Sequence, residues 1–110
     1  MPMNEEDRTK LIRSTIENNL YLFLEYMESY QLPSNDFLKV IVGLRDSLDP
    51  TSFTELFVRV CKYQKIEELR VDTEMVKSTI IFLVEKKMDD KAAYGLLRLI
   101  YINNVSLSNF

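Results

Sequence analysis

Tight turns lean on glycine and proline, and this chain has almost none of either. Its 110 residues hold two glycines, Gly43 and Gly95, and three prolines, Pro2, Pro33 and Pro50. An all-β domain, with a turn every few residues, needs more of both, so the sequence predicts an all-α fold. The length suits one domain, residues 1–110, with a modest core.

The spacing of apolar residues divides the chain into about five helices, joined by helix-turn-helix type connections into a compact bundle. At about 100° per residue, Ile12, Ile16, Leu20, Phe23, Leu24 and Met27 share one face, which predicts a helix over 5–30. Pro33 disfavours helix at Leu32, and Ser34, Asn35 or Asp36 can cap a second helix to about Leu48, with Phe37, Val40, Ile41, Leu44 and Leu48 inward. Asp49 before Pro50 suits the start of a third, with Ser52 and Glu55 as an alternative capping box. Its face of Phe53, Leu56, Phe57, Val60 and Cys61 then slips, because Gln64 falls inward while Ile66 and Leu69 fall outward. That predicts a break near Tyr63–Lys65 and a short separate element to Val71. Asp72 or Thr73 caps a fourth helix to about Met88, with Val76, Ile80, Leu83 and Val84 facing the core. Asp89 or Asp90 caps a fifth to about Asn103, and a polar-rich tail follows.

Two of these helices are apolar over too wide an arc. A surface helix needs a stripe of roughly 100°. In the first, Leu11, Leu22, Tyr26 and Tyr30 form a second flank beside the core face. In the fifth, Leu96, Leu99 and Ile100 form one face and Tyr94, Leu97 and Tyr101 another, with Arg98 the one charge in "AAYGLLRLIYI". A helix apolar all round is normally central, and the fifth reads as the central helix of the bundle. Two such helices exceed what so small a domain can enclose, and the surplus reads as a partner site. Tyrosine at its margin fits, with a broad apolar body and a hydroxyl that tolerates water.

The chemistry needed for catalysis is sparse. The chain has no histidine and one cysteine, which removes the commonest general base, a Cys-His pair and a structural zinc site. Cys61 reads as a core residue. The glycines lie inside predicted helices and read as close packing or a local bend, not as a phosphate loop. The pairs Glu5–Glu6, Glu67–Glu68 and Asp89–Asp90 read as solvated or helix-start acids. No enzyme, metal, cofactor or small-molecule substrate is expected.

The leading expectation is a non-catalytic interaction module: an adaptor, inhibitor or regulatory subunit. Its partner is another protein or a second copy of this chain, a homodimer. Leu22, Tyr26 and Tyr30 from the first helix, with Tyr94, Leu97 and Tyr101 from the fifth, are the expected anchors. The alternative is a small helix-turn-helix regulator touching nucleic acid through Arg59, Lys62, Lys65 and Arg70. A net charge of −3 argues against it and against anionic membranes. No stretch approaches the ~18 uncharged residues that span a bilayer. A lone cysteine and an opening charged in both signs predict a cytoplasmic, reducing setting.

Overall fold

The computed structural model describes residues 36–106, preceded by residues 6, 10, 13, 14, 18, 19 and 22. These residues contain four α-helices: α1 (Asp36–Gly43), α2 (Pro50–Tyr63), α3 (Thr73–Glu85) and α4 (Ala93–Asn103), with a single 3-10 turn at Ile66–Leu69. No strand occurs among them, so the all-α class holds. Most of the expected first helix lies outside the described residues. Within it, Asn18 is helical and Asn19 is not, and Asn19 Oδ1 accepts the Leu22 N–H at 3.0 Å. That is how asparagine caps a helix start, so the single run expected from Glu5 to Tyr30 is interrupted at Asn19.

The second expected helix is shorter than its periodicity suggested. α1 ends at Gly43, where the Leu44 N–H is shared between the carbonyls of Val40 (3.1 Å) and Ile41 (3.0 Å) and the chain tightens into turns. Val40, Ile41 and Leu44 are buried as the spacing required, and Leu38 and Val42, off the expected stripe, are buried with them.

Asp49 settles the start of α2. Its carboxylate accepts the Ser52 N–H at 2.8 Å and the Ser52 hydroxyl at 2.7 Å, and Pro50 occupies the first turn. Phe53, Leu56, Phe57, Val60 and Cys61 are all fully enclosed. The break expected at Tyr63–Lys65 is present: Gln64 and Lys65 are extended, and the 3-10 turn then carries Leu69 into the core. Gln64 falls on the buried side, and its Oε1 has no hydrogen-bond partner.

Asp72 caps α3, accepting the Met75 N–H at 2.8 Å. Val76 and Leu83 are enclosed as expected, but Val84 is exposed, and Thr79 and Phe82 take the core positions instead. Thr79 can be buried because its hydroxyl donates to the Met75 carbonyl at 2.7 Å, leaving its methyl to pack. The ring of Phe82 meets that of Phe53 edge-on, with centroids 5.1 Å apart.

α3 stops at Glu85 rather than at Met88. Lys87 adopts a left-handed conformation (φ 59°), while the Met88 N–H reaches the Leu83 carbonyl and the Lys87 N–H that of Val84. These two bonds define a Schellman ending. The expected caps of the last helix, Asp89 and Asp90, do not serve it. α4 starts at Ala93 behind a buried Ala92, with no side-chain cap.

α1 packs on α2, and α4 packs on α2, on the 3-10 turn and on α3. The last helix therefore packs against three other described elements, but it is not enclosed, because its outer side is open. The first residues of the polar-rich tail are fastened to the last helix. Asn104 is left-handed (φ 52°), and Val105 is buried, its N–H bonded to the Ile100 carbonyl. No helix among the described residues is long and apolar enough to cross a membrane.

Candidate docking surface

Residues three and four apart on a helix stand in one column. Tyr94, Leu97 and Tyr101 have that spacing on α4, and they are 55 %, 67 % and 78 % exposed. The opposite side of the helix holds Gly95, Leu96 and Leu99, all buried. An 11-residue helix thus splits cleanly into a core face and an open face, both apolar.

Four local devices hold that helix in place. Gly95 lets α4 approach α2 closely: a Cβ there would stand 3.0 Å from Phe57 Cε1 and 3.1 Å from Cys61 Cβ. Arg98 turns toward α2, where its guanidinium donates to the carbonyls of Cys61 and Lys62. Those carbonyls belong to the last turn of α2, at the negative end of its dipole, so a cation there is favoured twice. Asn103 reaches across the chain, accepting the Val71 N–H at 2.9 Å and donating to the carbonyls of Leu69 (3.0 Å) and Leu99 (2.9 Å). The Schellman ending at Asn104, sealed by Val105, closes the C-terminus.

The open face is therefore rigid and almost uncharged. The Arg98 guanidinium lies 5.9 Å from the centroid of the Tyr94 ring, which places the one cation of α4 at the edge of the column. Beneath it, burial pushes the Cys61 thiol up to about 12, against the opposing pull of Arg98, so the sulfur is an inert packing group.

The other expected site residues fall elsewhere. Leu22 is 55 % exposed. Tyr26 and Tyr30 lie outside the described residues. The four basic residues do not share one helix. Arg59 and Lys62 are on α2, Lys65 is in the extended link, and Arg70 follows the 3-10 turn. Residues 64–72 separate α2 from α3, longer than the turn of about three or four residues that a helix-turn-helix reader uses. Lys62 lies over the ring of Tyr63, 5.5 Å from its centroid. Sequence reasoning missed Ile81 and Val84, both exposed on the far side of α3. The spacing of Ile81 from Val76 and Leu83 could have found the first; Val84 was drawn inward by its position beside Leu83.

An open cleft of about 250 Å³ lies along Thr51, Thr54, Glu55, Val58, Arg59, Met88 and Lys91. It is smaller than ordinary ligand pockets of roughly 300–1,000 Å³. The Thr54 hydroxyl is turned back to the Pro50 carbonyl at 2.7 Å. Among the described residues no three His, Cys, Asp or Glu side chains converge to hold a metal ion. No family model, no curated protein and no solved structure matches the chain.

Proposed function

We propose that this protein is a non-catalytic interaction module, an adaptor, inhibitor or regulatory subunit, that docks a protein on the outer face of α4. The observation that carries this reading is the column of Tyr94, Leu97 and Tyr101, each more than half exposed on a pinned helix. Large apolar side chains in water cost free energy unless something covers them part of the time, and a rigid helix face gives that cover a defined shape. Aromatic anchors of this kind dominate the binding energy of helix-on-helix contacts. A buried thiol in a chain with one cysteine fits a reducing, cytoplasmic setting.

Photo-crosslinking in cells tests the reading. A benzophenone amino acid in place of Tyr101 is expected to give discrete heavier adducts, and the same group in place of the exposed Glu74 is not. Equal, diffuse labelling from both positions would remove the docking surface. The nucleic-acid alternative has weaker support, given the scattered basic residues and the acidic chain. A low-salt gel shift that Lys65→Glu and Arg70→Glu abolish would revive it.

A further inference from the structure

We propose that the occupant of the α4 face is a second copy of this chain, with α4 packed antiparallel on its counterpart about a two-fold axis at Leu97. This inference rests on reading that face as a docking surface, and it names the partner.

Three observations lead to it. The first is the pattern itself. Tyrosine stands three residues before Leu97 and four after it, so the column Tyr94–Leu97–Tyr101 reads nearly the same in both directions. Antiparallel pairing sets Leu97 against the partner copy's leucine and Tyr94 against its second tyrosine. A two-fold interface needs this self-complementarity, since each contact must occur twice. The second is charge. The only charged side chain on α4 is Arg98, which is held by the Cys61 and Lys62 carbonyls at the edge of the column. The face offers nothing to repel its own copy and nothing for a charged partner to recognise.

The third is area. Two tyrosines and a leucine, each more than half exposed, supply on the order of 400 Å² per copy. With the flanking atoms of α4, two copies together bury about 1,000 Å², near the lower limit for a specific interface. A pair held by so little is weak and reversible, with a Kd of roughly micromolar to tens of micromolar. The doubling of every contact is what lets a strip this narrow suffice.

Sedimentation velocity of the full chain from about 1 to about 200 µM is expected to show a monomer passing to a dimer. Leu97→Ser is expected to raise the dissociation constant at least ~10-fold with an unchanged circular dichroism spectrum. Orientation is read from thiols. Leu97→Cys, treated with glutathione disulfide, is expected to form a disulfide-linked dimer at least ~10-fold faster than Tyr94→Cys or Tyr101→Cys, because only position 97 lies on the axis. Cys61 is enclosed and adds no background. A chain that stays monomeric throughout overturns self-pairing, as does a dimer that survives Leu97→Ser or crosslinks fastest from position 94 or 101. The docking surface itself falls only if position 101 gives no discrete photo-adducts beyond those from position 74. Adducts there to a different protein keep the surface and change its occupant.

Discussion

A methyl group added at Gly95 would press within 3.0 Å of Phe57 Cε1 and 3.2 Å of the Cys61 sulfur, while one added at Gly43 would meet nothing within 4 Å. The two glycines therefore differ in kind, although the sequence presents both as interruptions inside helices. Gly95→Ala is expected to lower stability by about 1–3 kcal/mol, because α4 must move off α2. Gly43→Ala is expected to raise it by up to ~1 kcal/mol, since only the glycine's extra freedom in the unfolded chain is lost. Urea titration of the two variants gives both signs. Asn103 is a second residue whose importance lies outside its own helix. Asn103→Ala leaves the Val71 N–H and the Leu69 carbonyl without the partner they now have. An expected loss of about 1–3 kcal/mol follows from stranding groups that are partly buried. Asn103→Asp is expected to cost more than Asn103→Ala. It keeps the acceptor for Val71 but turns a carboxylate toward the carbonyls of Leu69 and Leu99. The sequence offered close packing or a bend for both glycines without separating them, and gave no sign of the part played by Asn103, because each depends on what another element brings to it.

Helix starts were more legible than helix ends. Asp49 before Pro50 and Asp72 before Thr73 act locally, through a carboxylate that reaches an N–H three residues on, and the sequence displays that arrangement. The ends of α3 and α4 depend on Lys87 and Asn104 adopting positive φ, which lysine in particular does not advertise. Once Lys87 turns, Met88 folds back onto Leu83, and the following residues become a turn in which Asp89 and Asp90 have no helix to cap. The start of α2 also carries a pH signature. The Ser52 N–H, then the Ser52 hydroxyl, hold the Asp49 carboxyl below its ordinary 3.8. A folded-state value lower than the unfolded one stabilises the fold above the unfolded value, and that contribution fades as pH falls through the folded one. Thermal melts between about pH 6 and pH 2 should therefore show Asp49→Asn losing less of its stability at the acid end than the wild type. The amide keeps an acceptor for the Ser52 N–H but does not titrate in that range.

At the scale of the whole molecule, the apolar surplus in the sequence has divided into two populations. One part closed around Phe53, Phe57, Leu83 and Leu99; another stayed outside on α4, at Tyr94, Leu97 and Tyr101. The α4 column was legible because α4 carries one charge and an unbroken spacing on both faces. How the anchors expected on the first helix sit relative to that column was not legible, since a helical wheel says nothing about which helices meet. The break at Asn19 rests on a side-chain bond that periodicity cannot register. The division predicts that stability and binding separate cleanly along one helix. Leu99→Ala, which opens a cavity at a fully enclosed position, is expected to cost about 2–5 kcal/mol of folding free energy. Leu97→Ala and Tyr101→Ala are expected to change monomer stability by no more than ~0.5 kcal/mol, as surface substitutions do. The same two variants should weaken the docked state by ~2 kcal/mol or more, because a narrow strip concentrates its energy in few side chains. The melts belong at low micromolar concentration, where association adds little to the apparent stability of the wild type. A large loss of monomer stability in Tyr101→Ala would assign that ring to the fold and leave α4 with no face to spare.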